Sequence, residues 1–396
     1  MDARYIAETI AREKEHWIEF LRSIVNIDSS TDYKEGVDSV GSIIAEELRS
    51  LKFDINMIKN DIYGNHILAC RNRGSKPSIL FVGHMDTVYP RGTVKHRPFT
   101  IKDNIAYGPG VLDMKGGIMV MLSALDALKN IDSRFYKNAS ICIFLNSDEE
   151  ILSPSSADKI DEEAKQADLA VVFEPARPGG GYVRRRWSVA RVKITVQGMS
   201  AHAGWISPRR ETSAVHELVN KLSTILSNIK SKDRVLVNIG IIRGGERFNV
   251  VAPYAEAELS IRAPTKEEVE GIIREISPVV GKASTEEVNS SLKVITLWPP
   301  LLDTERNRNA FRYFQKAANE LGKEIFVVDS GGGSDGNHIS QYTAVVDGAG
   351  AYGENPHSPL EYIDIDRTFE RAAIAARALE LFYKEYISHE STHGGD

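Results

Sequence analysis

The sequence predicts an α/β fold in which a mostly parallel sheet is flanked by helices and interrupted by an inserted ferredoxin-like α+β domain. Three observations carry this expectation. Through the first 185 residues, short apolar runs alternate with amphipathic stretches of helical spacing. From residue 188 the order becomes β-α-β-β-α-β, the ferredoxin-like unit. After Pro299 and Pro300 the alternation of helix and strand resumes. The division that follows is 1–185 and 299–396 for the two parts of the larger domain, and 186–298 for the insert.

Each element has its own signal. Ile6, Ile10, Trp17, Phe20, Leu21 and Ile24 lie at helical spacing, and Val40, Ile43, Ile44 and Leu48 repeat it, predicting two amphipathic helices in the first fifty residues. His66–Cys70 and Ser78–Val82 are β-rich runs bounded by turn residues. Gly116–Leu128 reads as a helix, Ser140–Leu145 as a buried strand, Asp158–Gln166 as a helix and Leu169–Phe173 as a strand. In the insert, Ser188–Val196 alternates as a strand, Glu211–Ile229 is helical, and Arg234–Ile242 and Ala255–Arg262 are strands. A Ser/Thr-type cap then opens the helix Thr265–Ile276, and Ser291–Leu297 is the last strand. The return to the larger domain comprises helix Asn307–Glu320, strands Ile325–Val328 and Thr343–Val346 around a Gly-rich turn, and a final helix Arg367–Tyr386. Ser388–Asp396 is expected to fray.

Composition narrows the function classes. The 396 residues are 42% hydrophobic and 26% charged, which is enough apolar material for two or three cores. A formal net charge of −6 gives no basic field to gather phosphates, so nucleic acid is not expected as a partner. Acids and bases run through Met1 to Asn26 without the apolar stretch of a signal or anchor, which predicts no membrane partner and a cytoplasmic location. The two cysteines, Cys70 and Cys142, each sit in an apolar run and read as reduced thiols. Any metal would then be held by His and carboxylates.

Five places concentrate such groups at the ends of predicted strands, where open α/β sheets hold their ligands. His84 and Asp86 follow the apolar run Phe81–Gly83 and project to one side, so that one imidazole can bind a metal while Asp86 accepts from its other ring nitrogen. Asp113 stands in a Gly-rich turn that opens a helix. Glu149 and Glu150 follow a buried strand, and adjacent side chains there point in different directions. Glu150 can thus ligate a metal while Glu149 faces a water as general base. Glu174 directly follows an apolar strand, and His357 lies in a Pro-flanked loop. Singly, each also reads as a turn, a solvated acid or a loop histidine. Together, His84, Asp113, Glu150, Glu174 and His357 suit two divalent ions, each with one His and one terminal carboxylate and sharing Asp113. Two ions ~3.5–4 Å apart hold a bridging water and polarise a carbonyl. Mixed N/O ligation favours Zn, with Co or Mn as alternatives.

In this order the segments GHMDTV, YGPGVLDMKGG, SDEE, FEP, GMSAHAG and ENPHSP closely resemble the co-catalytic zinc metallopeptidase family of glutamate carboxypeptidases, aminoacylases, acetylornithine deacetylase and succinyl-diaminopimelate desuccinylase. The resemblance runs from about residue 80 to 362. It implies the same five ligands with Asp113 bridging, Asp86 behind His84, Glu149 as general base and acid, and a cis peptide bond after Asp113. It also implies that the insert is a lid and homodimerisation domain. His202 would there stabilise the oxyanion, and Asn249 and Arg262 would contact substrate. The glycines Gly331–Gly333 present consecutive backbone N–H groups that can cradle a carboxylate, with Gly333 the residue singled out, or else form a flexible turn. Arg184, Arg185 and Arg186 depart from the family pattern, and a hinge, a subunit contact, a carboxylate pocket and a solvated face all remain open for them.

Details around the ligands, among them TVYPRG, YGPG and FEPARP, look most like glutamate carboxypeptidases. The expected substrate is therefore a small peptide or N-acyl amino acid, and the expected activity is that of an exopeptidase releasing a C-terminal amino acid. The alternatives are an N-acyl-amino-acid deacylase and, in another class, a non-catalytic metal-binding protein on the same scaffold.

Overall fold

The computed structural model describes residues 2–204, 212–229 and 233–393. The chain divides into two compact units, one comprising Met1–Arg185, Leu302–Ser330 and Ser334–Asp396, the other Arg186–Leu301 and Gly331–Gly333.

The larger unit is built on an eight-stranded sheet, in spatial order Asp54–Ile58, His66–Arg71, Ser140–Asn146, Ser78–His84, Leu169–Val172, Ala344–Asp347, Tyr182–Arg186 and Val327–Ser330. The central pairings are parallel: Ser78–His84 lies between Ser140–Asn146 and Leu169–Val172, and Leu169–Val172 pairs with Ala344–Asp347. Antiparallel pairs flank this centre. The parallel strands are unbroken apolar runs because both their faces are covered, and Ile79, Leu80, Phe81 and Val82 are all buried. Helix Gly116–Asn130 is apolar almost all round for the same reason, since it packs under helices Ala3–Arg12 and Ile365–His393. The central strands end at His84, at Asn146 just before Glu149, and at Val172 just before Glu174. One end of the sheet therefore collects the predicted ligands.

A second sheet of four very short strands, ordered Gly353–Glu354, Tyr362–Asp364, Ile105–Tyr107 and Thr100–Lys102, has no counterpart in the sequence reading. It matters for the site because pairing Tyr362 with Tyr107 brings the His357 loop beside the Asp113 turn.

The smaller unit is a four-stranded antiparallel sheet ordered Leu236–Gly244, Tyr254–Ala263, Ser188–Gln197 and Asn289–Trp298, with helices Ala214–Ile229 and Lys266–Gly281. With strands numbered by their order in the chain this is 2-3-1-4, the ferredoxin-like arrangement. Alternation puts Ala190, Val192, Ile194 and Val196 in its core. Thr265 and Glu268 form a capping box at the start of the second helix.

Three expectations are corrected. The first fifty residues form three helices, Ala3–Arg12, Lys14–Val25 and Lys34–Ser50, because the backbone breaks at Glu13 within what reads as one apolar stripe. The final helix extends from Ile365 to His393 and so takes in Ser388–His393, which reads as a frayed end. Cys70 and Cys142 are joined as a disulfide instead of standing as free thiols. They are directly opposed in an antiparallel pair with Cα atoms 4.2 Å apart, a proximity set by strand register between residues 72 apart in sequence. The expected helix from Glu211 is described from Ala214, Glu211 itself lying outside the described residues.

Candidate active site

The five predicted ligands converge at the carboxyl end of the central strands. The His84 ring is almost fully buried, at 1% exposure. Its Nε2 is 3.2 Å from Asp113 Oδ1, 3.6 Å from Glu174 Oε1 and 3.9 Å from Glu149 Oε2. The His357 Nε2 is 3.2 Å from both Asp113 Oδ2 and Glu150 Oε2. The two oxygens of Asp113 thus face two imidazoles, one with Glu174 beside it and the other with Glu150. His84, Asp113 and Glu150 place one donor atom each within 4.8 Å of one another, and so do His84, Glu149 and Glu174. The peptide bond between Asp113 and Met114 is cis.

Asp86 is fully buried behind His84. The His84 Nδ1 lies 3.0 Å from the Asp86 carbonyl oxygen and 3.3 Å from its Oδ1, so this nitrogen carries the proton and Nε2 is left as the donor atom toward the cluster. Thr31 Oγ1 donates to Asp86 Oδ2 at 2.7 Å, and the backbone N–H groups of Glu149 and Glu150 reach its two oxygens at 3.3 Å. Asp86 therefore ties His84 to the turn that carries both glutamates. The third acid of that run, Asp148, is spent on the segment that follows: it accepts from Ser155 N and Oγ and from Ser156 Oγ.

Glu361, which the sequence reading passes over, is the main support of Asp113. With no exposed surface, its Oε1 accepts the backbone N–H groups of Leu112 and Asp113, and its Oε2 that of Gly110, all at 2.9 Å. The only signal in the sequence is its place four residues after His357.

The electrostatics are those of a site built for added positive charge. Burial, then the neighbouring Glu174, pushes the Glu149 carboxyl well above its usual range. Burial raises Glu150 to about 7, against the opposing hydrogen bond to His357. Burial alone would hold the His84 ring neutral, but its hydrogen bonds to Asp113 and Asp86 push it well above its ordinary value. Hydrogen bonds to Asp113 and then Glu150 raise His357 to about 11. For Asp113, burial is outweighed by His357 and His84, and the carboxyl lies below the usual carboxylate range. Four carboxylates, Asp113, Glu149, Glu150 and Glu174, share this cluster with two imidazoles. Neutral imidazoles and two divalent cations would balance the four charges. Glu150 Oε1 is buried without a hydrogen-bond partner, which is what a metal ligand looks like by itself. The donor set fits divalent metal.

The remaining predicted site residues belong to the smaller unit. His202 pairs with Val250 in an isolated bridge, and Ala203 N donates to Asn249 O at 3.0 Å, so His202 and Asn249 are neighbours. Gly204 N donates to His202 Nδ1 at 3.1 Å, which in a neutral ring puts the proton on Nε2. Arg262 Nη1 donates to Gly331 O at 3.1 Å. Gly333 is explained by close approach, since a Cβ there would stand 2.9 Å from the Trp298 ring. The three arginines have separate fates: Arg184 pairs with Asp329, Arg185 lies 4.0 Å from Asp303, and buried Arg186 donates to the carbonyls of Gly332 and Gly333.

Residues 80–381 match the model of Peptidase family M20/M25/M40. This chain belongs to that family. Carboxypeptidase G2 of Pseudomonas sp. (strain RS-16) is 30% identical over 373 residues, covering 91% of this chain and 88% of that protein. Succinyl-diaminopimelate desuccinylase of Blochmanniella pennsylvanica (strain BPEN) is 25% identical, covering 88% and 92%. An M20 family metallo-carboxypeptidase from Sulfolobus solfataricus superposes with a TM-score of 0.70 at 17% identity, covering 93% of this chain and 99% of that one. M20 membership makes the chain a metal-dependent hydrolase of amide bonds. No helix among the described residues is long and apolar enough to cross a membrane.

Proposed function

We propose that this M20 chain is a carboxypeptidase of the glutamate carboxypeptidase kind, cleaving an amide bond next to a free C-terminal amino acid. The observation that carries the reading is the pairing of His84 with Glu174 and of His357 with Glu150 across the two oxygens of Asp113. Likeness to Carboxypeptidase G2 along nine-tenths of the chain supports the carboxypeptidase side. His84, Glu174 and Asp113 would hold one divalent ion and His357, Glu150 and Asp113 a second, with zinc favoured and cobalt or manganese as alternatives. When bound, such ions polarise the scissile carbonyl and acidify water.

The chain's own residues do the rest. Glu149, kept basic enough by burial, takes the proton of the attacking water and delivers it to the leaving amine. Asp86 fixes the tautomer and orientation of His84. His202 donates from Nε2 to the oxyanion, and Asn249, Arg262 and the backbone at Gly333 bind the substrate and its carboxylate. The smaller unit would serve as lid and homodimer surface. A second reading, an N-acyl-amino-acid deacylase, is favoured by the likeness to the desuccinylase.

The test is a panel of dipeptides and short N-acyl amino acids assayed with the metal-replete protein and with Glu149→Gln. Expected are preferential release of a C-terminal residue from peptides and a loss of about 10²–10⁴-fold in kcat in the variant with metal content retained. Preference for short acyl groups would replace the carboxypeptidase reading with the deacylase. Equal activity in a metal-replete Glu149→Gln would overturn the role of Glu149.

A further inference from the structure

The segment after the Gly-rich turn supplies a buried acid that the reaction does not use. Asp335 is 2% exposed, and its carboxylate is held by two side chains, both from the far side of the sequence. Asn146 Nδ2 donates to Asp335 Oδ2 at 2.8 Å and Ser153 Oγ donates to Oδ1 at 2.6 Å. Asn146 and Ser153 bracket the turn that carries Glu149 and Glu150.

Asp86 holds the middle of that turn through the N–H groups of Glu149 and Glu150, Asp148 accepts from Ser155 and Ser156, and Asn146 Nδ2 reaches Ser153 Oγ and Ser156 Oγ; Asp335 grips both ends from outside. The turn itself is a single 3-10 turn, Glu149–Ile151, closed by Leu152 and Ser153 in the left-handed region with φ of 73° and 47°. Neither is a glycine, so the conformation must be imposed by neighbours. Ser153 is fixed from one side by its N–H on the Asp148 carbonyl and from the other by Asp335. At the opposite end, Asn146 is the ladder partner of His84, and its carbonyl accepts the N–H of Met85. A displacement of Asn146 is thus felt at His84, and a displacement of Ser153 at Glu149 and Glu150.

We infer that Asp335 is a positioning residue for the M20 reaction, clamping both ends of the 146–153 turn and thereby setting where Glu149 and Glu150 stand relative to His84. Its carboxylate suits the task because one planar group accepts from two donors at once, whereas a neutral amide turns one donor toward another. Among the described residues no cation stands at hydrogen-bond distance from the group, and burial raises it to about 6, so its place is maintained for geometry against an electrostatic cost. The inference rests on the assignment of Glu149 and Glu150 made above.

The experiment compares Asp335→Asn, Asn146→Asp, the double variant Asn146→Asp/Asp335→Asn, and Ser153→Ala in the full chain. Readouts are kcat and KM on one peptide substrate, the Zn affinity of the metal-free protein by calorimetric titration, and Tm. In Asp335→Asn the amide donor opposes the Asn146 amide, and kcat is expected to fall at least tenfold with KM unchanged and Zn affinity weakened by about 10–100-fold. The double variant restores a donor and an acceptor with their places exchanged and is expected to recover most of the lost kcat. Ser153→Ala, which removes the Ser153 hydroxyl from both Asp335 and Asn146 but leaves the bond from Asn146 to Asp335, is expected to show a smaller fall of the same kind.

A lowered Tm in Asp335→Asn with kcat and Zn affinity unchanged would reduce Asp335 to a fold-stabilising residue and overturn the inference. Equal losses in both single variants and the double variant would do the same, because the pairwise contact would then not be what matters. Glu149→Gln serves as the control: if it keeps full activity, the assignment of the base fails whatever Asp335 does.

Discussion

The two halves of the candidate metal centre share Asp113 and little else. On one side the His84 ring is buried, its second nitrogen held by Asp86, and Asp86 in turn by Thr31 and two backbone N–H groups. On the other, the His357 side chain is 52% exposed and rises from a loop where both it and Asn355 have positive φ, at 59° and 62°. The first half is an end of the central sheet, and its geometry is inherited from strand register. The second takes Glu150 from the turn after a central strand, but its imidazole is brought in by two-residue and three-residue strands. A buried donor set attracts a cation through a low dielectric, while a half-exposed one competes with water and must order its loop. On the two-ion reading, the His84 half would therefore be the tighter site and the His357 half the one where ions exchange.

The largest test of this asymmetry compares His84→Ala with His357→Ala. Removing His84 also strands Asp86, a buried carboxylate, so activity is expected to fall by well over ~10²-fold and less than one ion to survive desalting. Removing His357 is expected to leave one tightly held ion, with part of the activity returning as metal is added in excess. Metal analysis of both proteins after chelation decides it. Equal retention in the two variants, or better retention without His84, would break the comparison.

The next test addresses the support of the shared carboxylate Asp113, on which the less buried half depends more. In Glu361→Gln one of the two oxygens facing the N–H groups of Gly110, Leu112 and Asp113 becomes an amide donor, and donor meets donor in a sealed space. Affinity for the second ion is expected to drop by about 10–100-fold, with the first ion less affected. Stepwise Zn titration reads both. Unchanged affinities would mean that the Asp113 turn holds its own shape.

The same asymmetry governs what was legible in the sequence. His84 ends an apolar strand, Glu174 directly follows one, and Glu150, though it belongs to the other half, stands four residues past a third, so the rule that ligands gather at strand ends already places them together. Their second layer was half legible, since Asp86 is two residues from His84, but Thr31 is 55 residues from Asp86 and reads as a loop threonine. Glu361 was missed because an acid after Ser-Pro-Leu looks solvated, and only the short sheet that pairs Tyr362 with Tyr107 turns it inward. The division of labour among Asp148, Glu149 and Glu150 likewise depends on the left-handed residues Leu152 and Ser153, which no propensity announces. The pairing of Cys70 with Cys142 was hidden for a related reason: register between strands is a tertiary fact, and two cysteines in apolar runs look the same free or joined. In the smaller unit, alternation and a Ser/Thr-type cap made the whole ferredoxin-like order readable, because its two inner strands bury one face and its outer strands alternate between half-buried and exposed positions.

The smallest expected effect tests whether the second layer of the tight half is redundant. Thr31→Val replaces a hydroxyl by a methyl of nearly the same volume in a buried position, so packing is kept and only the O–H donor to Asp86 Oδ2 is lost. The carboxylate keeps its contact with His84 Nδ1 and the N–H groups of Glu149 and Glu150, and these, now at 3.3 Å, have room to shorten. Remaining donors can take up part of the lost interaction, so the cost is expected to stay near 1 kcal/mol. In a chain of this size that corresponds to a fall in Tm of about 1 °C and a loss of only a few-fold in affinity for the first ion. Thermal unfolding of the metal-free protein and Zn titration check the two numbers separately. A loss as large as that in Glu361→Gln would show that Thr31, and not the backbone of the glutamate turn, is what keeps Asp86 against His84, and the tight half would then depend on a single distant hydroxyl.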